Sequence, residues 1–308
     1  MEKYHQTVLL KESIDALNLK KNGVYVDATL GGGGHTREIL RRKESVKVFA
    51  FDRDADAILR ARKLFNDEKR IQIFQDNFLN LRTKLALNFI KKIDGIIFDL
   101  GVSSHQFDVP ERGFSFSLEG ELDMRMGKQT ALTAKQVVNS YPVKQLREIF
   151  WEFGEEKESY RIARGIARER EKREINTTRE LAEIIDKNTY SSHKLKAKAR
   201  IFQALRIYIN EELAALKTAL NDSLHLLKHQ GRMVVISYHS LEDRIVKNFF
   251  KYQNLDCVCP PEFPQCCCDK VSRLKIITKK PIVPTKTEID TNKRARSAKM
   301  RIGEKREI

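Results

Sequence analysis

The sequence predicts a doubly wound α/β sheet with an inserted helical domain, and three observations carry that prediction. Short buried strands alternate with an amphipathic helix early in the 308-residue chain. Only helical patterns occur from about 107 to 213, and the alternation of helix and strand resumes with a strand after Gly231. Strand, helix and strand in this repetition are typical of a parallel sheet covered by helices. One insertion explains the interruption more simply than two consecutive domains. We therefore expect an α/β domain formed by residues 1–106 and 214–308, with residues 107–213 inserted into it.

Four short runs near the start have the pattern of buried parallel strands, because they are rich in β-branched and aromatic residues. Three of them run directly into an aspartate. The four are residues 24–26 before Asp27, 46–51 before Asp52, 71–74, and 96–98 before Asp99. A fifth strand is predicted at 233–237.

Apolar residues at helical spacing mark the segments between these strands and the insert. Ile58, Ala61 and Phe65 recur at i, i+3 and i+7, which predicts an amphipathic helix over 55–65 that begins at the acidic turn 54–56. Further helices are predicted over residues 143–153, 162–167 and 216–227.

The composition excludes several classes of protein. Charged residues make up 32% and hydrophobic residues 41% of the chain, which argues against disorder, collagen and coiled coils. The longest apolar runs are far shorter than the ~18 residues of a membrane span. The first residues also lack the apolar core of a signal peptide. We expect a soluble protein of the cytoplasm.

The net charge of +16 favours a polyanionic partner. Residues 269–308 hold 13 basic and 5 acidic side chains, so half of the excess charge lies in this last part. This asymmetry favours nucleic acid over a merely solvated surface. In the insert, Arg161, Arg164 and Arg168 recur on one helix face. Phosphate contacts and a salt-bridged helix surface are both open for that face.

All five cysteines are clustered in one short segment. Clustered thiols in an intracellular chain resemble a loop folded around zinc more than a secreted disulfide framework. The usual zinc-knuckle spacing is C-x-x-C, so the match is imperfect, and reduced structural thiols or a redox-dependent disulfide stay open beside zinc. The metal content is therefore undecided. The cysteines are Cys257, Cys259, Cys266, Cys267 and Cys268.

Four consecutive glycines, residues 31–34, follow the first strand, and Thr36 is expected to begin a helix. Glycine is costly in backbone entropy, so such a run is expected where the main chain adopts positive φ or lies against a ligand. A nucleotide-like ligand therefore fits this turn, although a tight structural turn is the alternative. The dinucleotide fingerprint G-x-G-x-x-G fails here, which argues against a nicotinamide cofactor.

The ends of the strands supply the other candidate ligand contacts, because ligands of such sheets bind outside their carboxyl ends. Asp52 lies about 20 residues after the glycines, where a carboxylate accepts both hydroxyls of a ribose. Capping of the next helix is the alternative, for which Asp54 is better placed. Phe78 is a candidate for contact with an adenine, although a core position is more common. With Asp99, these groups fit sulfonium methyl transfer better than hydride transfer.

Several motifs together resemble the RsmH (MraW) family. Besides the glycine turn, they are DLGVSSHQ at 99–106, ERGFSF at 111–116, LDMRM at 122–126, SYHSLEDR at 237–244 and RARSAK at 294–299. The resemblance spans nearly the whole chain. It implies a class I methyltransferase with a Rossmann-like sheet, which transfers a methyl group from S-adenosylmethionine to the exocyclic N4 amine of a cytidine in the decoding region of 16S ribosomal RNA. It also implies that the insert helps to recognise the substrate.

The resemblance implies a set of cofactor contacts in this chain. They are Gly33, Gly34, His35, Asp52, Phe78, Asp99 and Gln106. Amino-methylating enzymes commonly carry an Asp/Asn/Ser-Pro-Pro-aromatic loop after the fourth strand, whereas residues 99–102 read DLGV here.

Three residues are candidates for catalysis. Asp99, or a backbone carbonyl between 99 and 104, is placed to accept a hydrogen bond from the amine, and Ser103 lies in the same loop. His239 follows the fifth strand and is a candidate for deprotonating the product or orienting the base. An ordinary hydrogen-bonded histidine is the alternative. Within 122–126, the apolar side chains are expected to pack, with Asp123 and Arg125 paired.

The expected partners are small-subunit ribosomal RNA, in the assembled 30S subunit, and a second copy of the chain in a homodimer, with no membrane. Two competing functions come from other classes. A non-catalytic RNA-binding assembly factor shares the charge and the fold but needs no adenosine crevice, and a nicotinamide-dependent oxidoreductase needs the fingerprint that is broken here. DNA in place of RNA is harder to exclude, because phosphate contacts carry no sequence information.

Overall fold

The computed structural model describes residues 7–127, 130–263 and 265–307. It divides into two compact units, one formed by Met1–Gly101 with Leu213–Ile308 and the other by Val102–Glu212. The first boundary thus falls five residues earlier than the sequence predicted. The reason is that Val102 and Phe107 pack against the hydrophobic core of the second unit.

A seven-stranded sheet forms the centre of the first unit. Its strands are β1 (Val24–Asp27), β2 (Lys47–Asp52), β3 (Ile71–Gln75), β4 (Ile93–Asp99), β5 (Leu227–Ser237), β6 (Leu274–Ile276) and β7 (Lys299–Lys305). The order is β3-β2-β1-β4-β5-β7-β6. The first five strands of this order run parallel, and β7 is antiparallel to both of its neighbours. The strand order reverses between β1 and β4, where ligand crevices open in such sheets.

Helices connect the strands and form the second unit. They are α1 (Leu10–Leu17), α2 (Gly34–Arg42), α3 (Ala55–Leu64), α4 (Leu81–Leu87), α5 (Ser104–Asp108), α6 (Ala134–Ser140), α7 (Val143–Gly154), α8 (Ser159–Arg170), α9 (Thr178–Lys187), α10 (Lys194–Asn210), α11 (Glu212–Leu226), α12 (Ser240–Gln253) and α13 (Lys286–Thr291). Within the described part of the chain, no helix is both long and apolar enough to cross a membrane.

Two hydrophobic clusters cover opposite faces of the sheet and confirm the doubly wound prediction. Leu85 of α4, Leu220 of α11 and Phe250 of α12 pack in one cluster. Leu17 of α1 and Ile39 of α2 pack in the other. Because both faces are covered, the central strands are apolar almost throughout, as in parallel sheets generally.

Three elements differ from the sequence prediction. β3 is only half-buried, because it is an edge strand that pairs with β2 alone. β5 begins at Leu227, six residues early, and its register with β4 shifts between Ile93 and Gly95. Helix α2 begins at Gly34 rather than at Thr36.

The second unit is helical among its described residues, apart from one isolated bridge between Glu121 and Thr177. Its core includes Phe150 of α7, Ile166 of α8 and Leu205 of α10. The LDMRM segment behaves as predicted: its leucine and first methionine are buried, and its last methionine packs against the same core. The Arg125 guanidinium donates to both carboxylate oxygens of Asp123, at 2.8 and 2.6 Å.

Candidate active site

The glycine turn after β1 needs glycine for two different reasons. Gly31 and Gly33 have φ of +49° and +76°, in the left-handed region that favours glycine. Gly34 is required by packing, since a Cβ there would lie 1.8 Å from the Thr7 hydroxyl oxygen. The prediction of positive φ therefore holds at two of the four glycines.

Asp27 holds this turn in place, a role that the sequence analysis did not assign. Its carboxylate accepts hydrogen bonds from the Thr29 amide at 3.2 Å and the Thr36 hydroxyl at 2.7 Å. The residue is 1% exposed, and burial raises its pKa to about 6. The only sequence signal for Asp27 was an acid at the end of a buried strand. It ties the turn to the first residues of α2.

Asp52, at the end of β2, faces the same turn. One carboxylate oxygen accepts from the Gly31 amide at 2.7 Å and the other from the Asp54 amide at 2.9 Å. Burial raises the pKa of Asp52 to about 6, although these two hydrogen bonds lower it. Asp54 caps α3, as the sequence predicted. The Asp52 oxygens keep further acceptor capacity for hydroxyl groups.

The turn after β3 offers a partly exposed ring. Phe78 packs edge-on against Phe98, with ring centroids 5.7 Å apart, and contacts the sheet core. Neighbouring Asp76 is neutralised locally by the Lys84 ammonium at 3.1 Å. Burial opposes the ionisation of Asp76, but hydrogen bonds from Asn80 and Lys84 outweigh it and lower the pKa. Phe78 thus has a core contact, and its ring is only partly buried; its contact with an adenine stays a prediction.

Asp99, at the end of β4, has the most perturbed carboxyl group of this edge. Its Oδ1 accepts from the Tyr238 hydroxyl at 2.7 Å, and its Oδ2 lies 3.8 Å from His35 Nδ1. Burial raises the pKa of Asp99 to about 7; the Tyr238 hydrogen bond lowers it, while the charges of Asp27 and Glu242 raise it. A carboxyl group that titrates near neutral pH is suited to proton transfer.

Tyr238 is a second residue of this site whose role sequence reasoning missed. It follows β5, which lies beside β4, and this adjacency brings its hydroxyl to a residue 139 positions away. Burial and the nearby carboxylates raise its pKa well above 10, so the hydroxyl stays a donor. The SYHSLEDR motif contained the tyrosine, but no spacing in the sequence linked it to Asp99.

The geometry thus places three carboxylates beside a glycine turn at the ends of parallel strands, with Asp27 buried and Asp52 and Asp99 half-buried. The family model described as the MraW methylase family matches residues 2–306. The chain belongs to the MraW methylase family. Its curated relatives include a ribosomal RNA small subunit methyltransferase H of Carboxydothermus hydrogenoformans, 50% identical over 99% of both chains. The protein of the same name in Halothermothrix orenii is 48% identical over 98% of both.

Solved structures align with this chain at much lower identity. The crystal structure of an rRNA methylase from Streptococcus thermophilus aligns with a TM-score of 0.45 and 12% identity, over 98% of this chain and 99% of that chain.

His239 caps a helix in this MraW methylase. Its Nδ1 accepts from the Glu242 amide at 3.4 Å, and the Glu242 carboxylate accepts from the His239 amide at 3.4 Å. The same carboxylate accepts from the Tyr238 amide at 2.9 Å. Glu242 Oε1 also lies 3.2 Å from His239 Nε2. This capping box fixes the first turn of α12 and with it the backbone that carries Tyr238. The Nδ1 atom of His239 thus has the hydrogen bond of an ordinary helix cap, while its role in deprotonating the product or orienting the base stays a prediction.

Ser103 and Gln106 belong to the second unit and form a similar capping box at α5. The Ser103 hydroxyl accepts from the Gln106 amide at 3.3 Å, and the Gln106 side-chain oxygen accepts from the Ser103 amide at 3.0 Å. Gln106 is buried. The two residues were predicted for different tasks, catalysis and cofactor binding, and the structure joins them in one helix cap.

Proposed function

We propose that this MraW methylase transfers the methyl group of S-adenosylmethionine to the N4 amine of a cytidine in the decoding region of 16S ribosomal RNA. The observation that carries the proposal is the row of carboxylates of Asp27, Asp52 and Asp99 at the ends of adjacent parallel strands. Full-length relatives at 48–50% identity bear the name of a small-subunit ribosomal RNA methyltransferase, which supports the substrate.

The residues of this edge fit S-adenosylmethionine. That molecule joins a ribose with two hydroxyls to an adenine and to a positively charged sulfonium. Asp52 would accept the hydroxyls, and Phe78 would lie against the adenine. The turn that contains Gly33, Gly34 and His35 would enclose the rest.

The charges of the site also fit a cation. Burial raises the pKa of three neighbouring carboxyl groups, so their ionised forms are unstable without a positive charge nearby. When bound, the cofactor supplies an electrophilic methyl group on a cationic sulfur. Within the second unit, the Ser103–Gln106 cap orders the first turn of α5.

Asp99 is the proposed acceptor for the substrate amine. The amine of cytosine is a weak nucleophile because its lone pair is delocalised into the ring. A carboxylate that accepts from its N–H groups stabilises the positive charge that develops during attack, and such stabilisation contributes roughly 3 kcal/mol. Tyr238 holds the Asp99 carboxylate in one orientation. Positioning of the reacting groups contributes a further ~7–11 kcal/mol.

The insert supplies candidate phosphate contacts on α8. Arg161 and Arg164 are exposed. The Arg161 guanidinium lies 4.3 Å from the centroid of the Tyr190 ring and also lies 3.6 Å from the Glu158 carboxylate. Arg168 is also exposed, but its guanidinium donates to the Asn188 side-chain oxygen at 3.0 Å. We therefore assign RNA contact to the first two arginines and a structural role to the third. The proposed phosphate contacts are therefore two of the three arginines that the sequence placed on this helix face.

The assembled 30S subunit is the proposed form of the substrate, which places the reaction in the cytoplasm. The test is to incubate the full chain with labelled S-adenosylmethionine and purified small subunits from a strain that lacks the gene, and then to map the label. We expect one labelled cytidine, modified at N4. Label on another base would contradict the assignment to the cytidine N4 amine, whereas cofactor-independent binding without transfer would favour the assembly factor. The homodimer stays a prediction, which light scattering of the purified chain checks.

A further inference from the structure

A loop between α12 and β6 brings together cysteines that the proposed methyl transfer does not use. The Cys257 sulfur lies 3.4 Å from that of Cys266 and 3.7 Å from that of Cys268. The Cys266 sulfur lies 3.6 Å from that of Cys268 and 4.0 Å from that of Cys259. All sulfur atoms of these four residues lie within 4.8 Å of one another.

These separations match a tetrahedral metal site. With Zn–S bonds of ~2.3 Å, the sulfurs of a four-cysteine zinc site lie about 3.8 Å apart. A disulfide needs its sulfurs at about 2.05 Å, and all five cysteines are free thiols. The spacing between the sulfurs is therefore that of ligands around a shared ion.

Backbone amides point at the same sulfurs. The Cys259 amide donates to the sulfur of Cys257 at 3.3 Å, and the Val258 amide donates to that of Cys268 at 3.4 Å. The Cys267 amide donates to the sulfur of Cys259 at 3.3 Å. Such bonds stabilise the negative charge of thiolates, the form in which cysteine binds a metal.

The loop has no hydrophobic core that could hold this arrangement. None of residues 256–263 and 265–269 is buried, and the side chains of Val258 and Phe263 are 46% and 51% exposed. Short segments without a core are commonly stabilised by a disulfide or a structural metal. Since four thiols converge here without a disulfide, a metal is the simpler source of stability.

We propose that Cys257, Cys259, Cys266 and Cys268 bind one structural Zn²⁺ ion as thiolates, with their four protons released to solvent. Thiolate sulfurs in a tetrahedral set select zinc over magnesium or calcium, which prefer oxygen ligands. Cys267 lies outside the set of four, although its sulfur is 3.7 Å from that of Cys259. None of these cysteines belongs to the carboxylate row, and the role of the proposed ion is to order the loop.

The test measures metal in the full-length protein and in four serine variants. We expect about one zinc per wild-type chain, retained against a chelator that strips Cys257→Ser, Cys259→Ser and Cys268→Ser. Cys267→Ser is the matched control and should keep its zinc, because it changes a neighbouring thiol of the same loop. Cobalt added to metal-free wild-type protein should give the intense absorption bands of a tetrahedral thiolate site.

Three outcomes would overturn the proposal. They are metal-free wild-type protein, with or without a disulfide in its mass spectrum, iron in place of zinc, and a loss of zinc from Cys267→Ser equal to that from the other three variants. The cobalt spectrum does not depend on whether the variants fold. All these measurements are independent of methyl transfer, so their failure would leave the proposed function untouched.

Discussion

Burial and Tyr238 act on the pKa of Asp99 in opposite directions, and burial dominates. The folded pKa of about 7 lies above the ordinary 3.8 of aspartate. The ionised carboxylate therefore costs folding free energy wherever the unfolded chain would already have released the proton. This cost is present at neutral pH and disappears as the pH falls below about 4. A functional group that destabilises the fold is a common trade-off in enzymes.

Asp99→Asn should therefore stabilise the cofactor-free protein. The gain should grow as the pH rises from about 4 to about 7 and reach at most ~4 kcal/mol. Thermal denaturation at several pH values measures it. Asp76→Asn is the control and should lower the stability instead of raising it, because the lowered pKa of Asp76 makes its ionised form stabilising. A variant Asp99→Asn that melts no higher than wild type at pH 8 would contradict the assignment.

Asp52→Asn should weaken binding of S-adenosylmethionine by roughly 10- to 100-fold, since hydrogen bonds to a charged partner contribute about 1.5–3 kcal/mol. Titration calorimetry measures the affinity. Asp54→Ala is the matched control, because it removes the α3 cap and should cost about 1 kcal/mol of stability while the affinity stays unchanged. Equal affinities of wild type and Asp52→Asn would remove this residue from the cofactor site.

Tyr238→Phe should shift the pH dependence of turnover to higher pH. Loss of the hydroxyl removes the hydrogen bond that lowers the Asp99 pKa, so the acid is ionised only at higher pH. The rising limb of the rate profile at saturating cofactor reports this pKa. A purely structural tyrosine would lower the rate at all pH values without moving the profile, and that result would count against its positioning role.

At the scale of elements, strand pattern was predictable and strand order was not. The runs before Asp27, Asp52 and Asp99 were readable because buried parallel strands are apolar and β-branched. The half-buried state of β3 depends on its having one neighbour, which no local pattern encodes. The pairing of β4 with β5 likewise joins distant segments, and this is why Tyr238 could not be assigned to the site in advance.

Helix α8 carries a prediction at this scale. Arg161→Ala with Arg164→Ala should weaken RNA binding and reduce the slope of log K against log salt by about 1–2, because each phosphate contact releases a counterion. Filter binding at several salt concentrations measures the slope. Arg168→Ala is the control, since its side chain is engaged with Asn188; it should lower the melting temperature instead. An unchanged slope in the double variant would mean that this face is a salt-bridged helix surface that makes no phosphate contacts.

For the whole molecule, the domain organisation was predicted from the interrupted alternation of strands and helices, and the polyanionic partner from the uneven charge. The insertion and the doubly wound sheet followed from the periodicity of the strands and helices alone. The boundary at 106 was placed five residues late, because the packing of Val102 and Phe107 on the helical core is a tertiary effect. Substrate identity came from motifs and relatives, since phosphate-binding charge carries no sequence information.

A crystal structure of the full chain with S-adenosylmethionine tests the central claim most directly. We predict that the ribose hydroxyls donate to Asp52 and that the methyl group faces the carboxylate that Tyr238 holds. A ligand bound away from the carboxyl ends of β1, β2 and β4, or side chains that fill this crevice, would contradict the account.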